Sequence, residues 1–397
     1  MAVARAKLSP LVRNSCSLLS RHANVIAPTT VEGQRNLTAH PKYVKPYPEW
    51  LPFNFFASFL DITSKRLNDN SRMICIDGPP CVGKSAFAKQ MADHFKMQHY
   101  PGYQPEDWYM RNGFDLRRLN TLIHKPKLKF LDLDDFYLNA TPNKYLSSKQ
   151  LEILRWRFYQ YAEALRYLLS TGVGTIVETN VWSDKVYAAT LAEMGYFSRK
   201  GYRYYEEYLS NILNYMMRPS LVIYLDAPTK WIITEMRKKN PKYENSPVLT
   251  EDYINRLKDN YHKLYLEPMK KHCEILEYDV TDMEDIDLVF MDLEQVDLIS
   301  RQPGDQIKYA NWRLDKEEDW SMFRLQISND ARLRKMCTWR PAFDVPELYM
   351  SEDDTLDLES VLSQFPELVG RDIFADQVTQ VNPLTLAKGS YLDPSVK

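Results

Sequence analysis

Residues 73–85 read Met-Ile-Cys-Ile-Asp-Gly-Pro-Pro-Cys-Val-Gly-Lys-Ser, an apolar run that passes directly into the pattern G-x-x-x-x-G-K-S. A continuous rather than alternating apolar run is the form of a strand buried on both faces of a parallel sheet. The loop after it has a physical task for each element of the pattern. Gly78 and Gly83 permit backbone angles that turn successive N–H groups inward into an anion nest. Those groups open a helix, whose dipole favours negative charge. Lys84 is placed to neutralise β- and γ-phosphates, and the Ser85 hydroxyl to ligate Mg2+. Pro79 and Pro80 remove N–H donors only at their own positions. Phe87, Met91 and Phe95 then recur every four residues, one face of a helix. Strand, loop and helix in this order predict a phosphate-binding site at the end of a strand.

Further along, strand and helix patterns alternate. Residues 57–70 form a short helix and 98–101 a second short strand, followed by a long irregular insertion over 103–142. A strong helix over 148–170 is stopped by Thr171-Gly-Val-Gly174, and Thr175-Ile-Val-Glu178 is a buried strand. Residues 184–217 are helical with a break near Gly195–Gly201, and Leu221–Asp226 is the clearest strand. A helix at 228–239, a lysine-bearing turn at 240–248, a helix at 250–271 and a strand over Glu274–Tyr278 complete the rhythm. The alternation predicts an α/β fold, a parallel sheet with helices on both faces. From Thr281 to Asp297 there are seven acidic residues and no basic one, and the rhythm is lost. Four parts are expected: a leader at 1–31, an N-terminal arm and helix at 37–70, the P-loop domain at 71–280, and an extended interaction tail at 281–397.

Composition narrows the setting. The first 31 residues carry Arg5, Lys7, Arg13 and Arg21, several serines, and no acid before Glu32. That is the make-up of a mitochondrial presequence, with cleavage expected within 20–36; a basic disordered tail is the other account. Residues 37–56, rich in proline and aromatics, read as an extended arm. No apolar run approaches the ~18 residues of a membrane-spanning helix. A formal net charge of −2 leaves no electrostatic footprint for a nucleic-acid polymer. The five cysteines are scattered without a C-x-x-C pair, which argues against a disulfide framework and for a reducing compartment. Only Cys81 sits where a thiolate would be stabilised, near Lys84 and a helix start. A small residue fitting a tight loop is the plainer account of it.

Three further constellations bear on chemistry. Glu178 ends a strand, and carboxyl ends of strands face the ligand crevice in open α/β sheets. Ser183 and Asp184 follow shortly after, Asp184 serving either the site or the start of the next helix. Gln150, Leu154 and Arg157 form one stripe of a helix, able to read a nucleobase edge or simply to face solvent. Arg237-Lys-Lys-Asn-Pro-Lys242 is either a basic lid or solvated surface.

Over about 70–280 the chain resembles the deoxynucleoside kinases, with the P-loop, Gln150…Arg157, Glu178 and Ser183-Asp184 in that family's order. It is similar in particular to the kinase-like accessory subunits of mitochondrial respiratory complex I. That likeness rests on Thr63–Arg66, Leu169–Glu178, Pro219–Asp226 and the tail segment Phe343–Leu348. The resemblance implies a P-loop NTPase, deoxynucleoside-kinase-like fold holding a (deoxy)nucleotide with Mg2+. Gly78, Gly83, Lys84 and Ser85 would meet the phosphates, Gln150, Arg157 and Asp184 the nucleoside, and Ser85 and Glu178 the metal; no flavin is expected. It also implies partners among the other complex I subunits, on the matrix side of the inner membrane.

The departures from the family are informative. Active members place a glutamate base directly after the second strand, where this chain has Tyr100-Pro-Gly-Tyr103 and no carboxylate before Glu106. The family's Glu-Arg-Ser after the third strand reads Glu178-Thr179-Asn180, and its arginine-rich lid is reduced to Arg237 and lysines. Phosphoryl transfer rests on positioning and charge stabilisation, and loss of a base costs roughly 10²–10⁴ in rate. The pattern implies a non-catalytic subunit supporting assembly and stability, with no catalytic residue and a retained binding site. Two alternatives stand beside it: an active mitochondrial deoxynucleoside kinase using ATP, with Glu106 or Asp107 as base, and a small-metabolite kinase of the P-loop class.

Overall fold

A computed structural model describes residues 53–111, 114–140, 146–283, 286–296, 298, 307–348 and 350–365. The expected presequence, the arm before residue 53 and residues 366–397 lie outside the described residues.

The sheet has five strands: β1 (Met73–Asp77), β2 (Gln98–Tyr100), β3 (Thr175–Glu178), β4 (Leu221–Asp226) and β5 (Glu274–Asp279). Their order is β2-β3-β1-β4-β5, every pair parallel. The most uniformly apolar segment takes the centre: all five residues of β1 are buried, as a strand covered on both faces requires. Because the strands are parallel, their carboxyl ends share one edge. Ile76 pairs with Glu178 and Asp77 with Tyr224, which places Glu178 beside the start of the phosphate loop.

Helices α1 (Lys84–Phe95), α2 (Leu146–Thr171), α3 (Asp184–Glu193), α4 (Arg199–Leu213), α5 (Thr229–Lys239) and α6 (Glu251–Asn260) flank the sheet. α2 is the spine. Its 26 residues run about 39 Å at 1.5 Å per residue, and Leu154, Phe158, Leu165 and Leu168 are fully buried, each contributing about 1.5–3 kcal/mol. It ends where Gly172 turns with φ +76, and a Cβ there would stand 2.2 Å from the Arg66 carbonyl oxygen. After α6 the helix widens into a π turn over Tyr261–Leu266. Such turns reposition side chains at functional sites, and this one carries Tyr261 and Tyr265 into the core at the sheet's carboxyl edge.

The segment expected to be an extended tail is helical over its described part, which corrects that expectation. α7 (Ile286–Glu294), α8 (Glu317–Ser328), α9 (Asp330–Thr338) and α10 (Glu352–Leu362) fold back on the body. Phe290 of α7 packs on Phe87 and Phe95 of α1, with ring centroids 5.8 and 5.9 Å apart. Arg166 of α2 donates to the Ile327 carbonyl at 2.9 Å, and Tyr208 of α4 to the Cys337 carbonyl at 2.9 Å. Leu358 and Leu362 of α10 close a second apolar cluster with Tyr103, Tyr109, Leu119, Ile153 and Trp156. Acidic outer faces hid these short apolar stripes in the sequence. The insertion over 103–142 likewise holds short helices at Pro105–Tyr109, Leu116–Thr121 and Leu133–Leu138. The single helix expected over 57–70 is a short helix, Phe55–Leu60, and a separate 3-10 turn, Ser64–Arg66. Cys75, Cys81, Cys273 and Cys337 are all free. Among the described residues no helix is long and apolar enough to cross a membrane.

Candidate phosphate- and nucleoside-binding site

The loop joining β1 to α1 has the backbone its sequence calls for. Gly78 (φ +148) and Gly83 (φ +82) take angles that side chains disfavour, and Cys81 takes φ +64. At Gly78 space matters as well: a Cβ would lie 2.2 Å from the Leu225 carbonyl oxygen of β4. Gly83 stands in N-cap position for α1, which has no side-chain cap. The first N–H groups of α1 therefore face the loop's concavity. Lys84 Nζ folds back to donate to the carbonyls of Gly78 at 2.9 Å and Pro79 at 2.5 Å. Burial pushes its ammonium down to about 8, against the pull of Asp77 and Glu178. The Cys81 thiol is pushed up by burial, outweighing Lys239 and Lys84.

Glu178 closes the site from β3. The chain leaves it through Thr179 at φ +51, whose N–H donates to the Ile76 carbonyl at 3.0 Å. Ser85 Oγ donates to Glu178 Oε2 at 2.6 Å, and His99 Nε2 of β2 lies 2.5 Å from Oε1. Burial raises this carboxyl, but the hydrogen bonds from His99 and Ser85 outweigh it and hold the group below its ordinary value.

The nucleoside candidates meet at one carboxylate. Asp184, fully buried at the start of α3, accepts from Gln150 Nε2 at 3.0 Å, from Arg157 Nη1 at 2.5 Å and from the Tyr205 hydroxyl. Gln150 and Arg157 are 2 % and 8 % exposed, so the stripe is not a solvated face. Nor does Asp184 cap α3; Ser183 occupies that position and makes no capping bond. The Arg157 guanidinium lies over the Tyr187 ring, 4.9 Å from its centroid. Tyr187 and Tyr261 join hydroxyls at 3.0 Å, and Tyr261 reaches the Gly78 carbonyl at 3.3 Å. A tyrosine bridge thus ties the nucleoside cluster to the phosphate loop.

Sequence reasoning missed several members. Asp77 is fully buried and accepts from Ser183 Oγ at 2.6 Å, Asn180 Nδ2 at 2.7 Å and the Tyr265 hydroxyl at 2.9 Å. Burial pushes this carboxyl up against those bonds. Ser183 was singled out beside Asp184, but not as a partner of Asp77; Asn180 follows β3 at a spacing that predicts turn contacts only, and Tyr265 is remote in sequence. Lys149, 4 % exposed, donates to the Tyr103 hydroxyl at 3.0 Å and to Glu152 at 2.6 Å.

Among the described side chains, the site's remaining edge carries no carboxylate before Glu106. Tyr100 ends β2, and Gly102 comes next to Glu178 without a side chain, its notional Cβ 3.6 Å from Oε2. Glu106 is largely exposed and paired with Arg117 at 3.3 Å; the Asp107 side chain is outside the described residues. Arg237 is more than half exposed and 4.0 Å from Glu244. Asn240 of the expected lid, and Tyr243 just beyond it, bind Asp134 on the Leu133–Leu138 helix instead.

Residues 74–305 match the deoxynucleoside kinase family. The chain belongs to the deoxynucleoside kinase family. The match runs past residue 280, beyond the boundary expected for the P-loop domain. Its relatives in sequence include NADH dehydrogenase (ubiquinone) 1 alpha subcomplex subunit 10, mitochondrial, of Mus musculus: 30 % identical over 283 residues, covering 70 % of this chain and 74 % of that one. The protein of the same name from Rattus norvegicus is 31 % identical over 250 residues, covering 62 % and 67 %. Among solved structures, deoxyadenosine kinase from M. mycoides with bound dCTP aligns at a TM-score of 0.40 and 16 % identity, over 56 % of this chain and all of that one. The phosphate loop and the glutamine–arginine–aspartate cluster both lie within the matched residues.

Proposed function

We propose that this chain is an accessory subunit of mitochondrial respiratory complex I, on the matrix side of the inner membrane, supporting assembly and stability. Its kinase body acts as a nucleotide-holding docking module and transfers no phosphoryl group. The names of its relatives support the membership. One observation carries the non-catalytic reading: an intact phosphate loop faces a Glu178 whose two oxygens are both engaged, with Gly102 where a base would approach. Candidate binding groups are present, and among the described side chains no carboxylate follows β2 before Glu106, which supports positioning without proton transfer.

The membership is tested on native gels: the chain should comigrate with NADH dehydrogenase activity, and its depletion should lower assembled complex. Complex I that stays assembled and active without the chain refutes the membership. Catalysis is tested with purified protein, ATP and the four deoxynucleosides. Turnover approaching the ~1–100 s⁻¹ of kinases would instead make it an active mitochondrial deoxynucleoside kinase. Lys84→Ala should abolish retention of a copurifying nucleotide and leave the far-ultraviolet circular dichroism unchanged. Finding no nucleotide in the wild-type protein by denaturing mass spectrometry would remove the ligand from this reading.

A further inference from the structure

We infer that His99 keeps a divalent cation from this site by holding Glu178, so that the phosphate ester is held without metal. The inference rests on the nucleotide-holding reading above and concerns what the site excludes. Magnesium demands close to six oxygens in octahedral array and sheds its waters reluctantly. In P-loop proteins it takes the loop's serine or threonine hydroxyl and a nearby carboxylate. Here those two groups are bonded to each other, Ser85 Oγ to Glu178 Oε2 at 2.6 Å. The other carboxylate oxygen is 2.5 Å from His99 Nε2.

The surroundings leave little slack. The Glu178 side chain is 3 % exposed and that of His99 15 %, so freeing an oxygen for a cation would strand a buried polar atom. Among the described residues no unengaged carboxylate is at hand to compensate. Asp77, at the end of the adjacent strand, is taken up by Ser183, Asn180 and Tyr265. Ser85 and Glu178 therefore do not fit the magnesium pair expected from the sequence. What remains for an anion is Lys84 and the N–H groups that open α1. One lysine and a set of amide dipoles suit the lower charge of a nucleoside mono- or diphosphate better than that of a metal-free triphosphate. His99 is a positioning residue: it holds Glu178 aside by a hydrogen bond from β2 and touches no phosphate.

The test uses inorganic pyrophosphate, which needs no knowledge of the base, titrated calorimetrically into the purified full chain at one fixed pH. Wild type should bind with the same affinity in excess EDTA and in excess Mg2+. In His99→Ala, Mg2+ should tighten binding by about tenfold, and Mn2+ added with pyrophosphate should give the electron paramagnetic resonance signal of a bound ion that wild type lacks. Should His99→Ala not fold, His99→Gln, which keeps a donor, should fold and behave as wild type. Tightening of wild-type binding by Mg2+ of about tenfold or more, or a bound Mn2+ signal in wild type, overturns this inference and leaves the nucleotide-holding reading intact. Absence of pyrophosphate binding in both buffers, or Lys84→Ala binding as well as wild type, overturns the nucleotide-holding reading and this inference with it.

Discussion

Gly78 shows how tightly a single position is specified here. Its φ of +148 and the Leu225 carbonyl 2.2 Å from any added Cβ leave no room for a side chain between β1 and β4. Gly78→Ala should lower stability by about 3 kcal/mol or more, through backbone strain and displacement of a central strand. Gly83, with open space around it, should tolerate alanine better, losing only the cost of its angle. Urea unfolding of the two variants side by side checks the difference. Asp184→Asn offers a second test. It leaves the Arg157 guanidinium without its carboxylate in the core, a loss of about 3–5 kcal/mol by the usual scale of broken buried pairs. The phosphate loop was readable from residue spacing because its members are consecutive. Glu178 was readable as a strand end. The His99–Glu178 contact was not, since its members lie 79 residues apart and only the pairing of β2 with β3 unites them.

Strands announced themselves because β1 and β4 are apolar up to a closing aspartate and have glycine or proline close by. α2 was readable as a helix, but its polar residues carried two meanings. Covered by the sheet, by α4 and by α8, it buries Lys149, Gln150, Arg157, Gln160 and Glu163, and no periodicity distinguishes a buried network from a wet face. The π turn after α6 was invisible for a related reason: Tyr261 and Tyr265 have ordinary helical spacing, and the extra residue per turn appears only in the backbone. α10 was missed because its first turn is acidic and its apolar stripe brief. Its start is nonetheless well made, a capping box in which Ser351 Oγ accepts from the Asp354 N–H at 3.2 Å and Asp354 accepts from the Ser351 N–H at 2.9 Å. Lys125 and Lys127 then pair with Asp354. Ser351→Ala should cost about 1 kcal/mol and speed amide exchange across Glu352–Leu362 by about fivefold, with exchange in β1 unchanged.

At the level of the whole molecule, one residue of the carboxyl-terminal flank reaches both the amino-terminal flank and the kinase body. Arg324 of α8 is completely buried, lying 3.8 Å from the Phe53 ring centroid and 3.0 Å from Asp61 Oδ2. Glu317 of the same helix accepts from the N–H groups of Thr63 at 2.7 Å and Ser64 at 3.0 Å. Arg324→Ala should lower global stability by about 3 kcal/mol, and limited proteolysis should then cut within 53–66 before the sheet opens. Cleavage confined to other loops would show that the flank is held by something else. Arg324 and Thr63 stand 261 positions apart, and that span has a temporal meaning. A chain made or threaded from its amino end presents Phe53 and Asp61 long before Arg324 arrives. The latch therefore closes only after every strand of the sheet has emerged, and a product truncated ahead of it would carry an unfastened front end, open to proteolysis as an unfinished molecule.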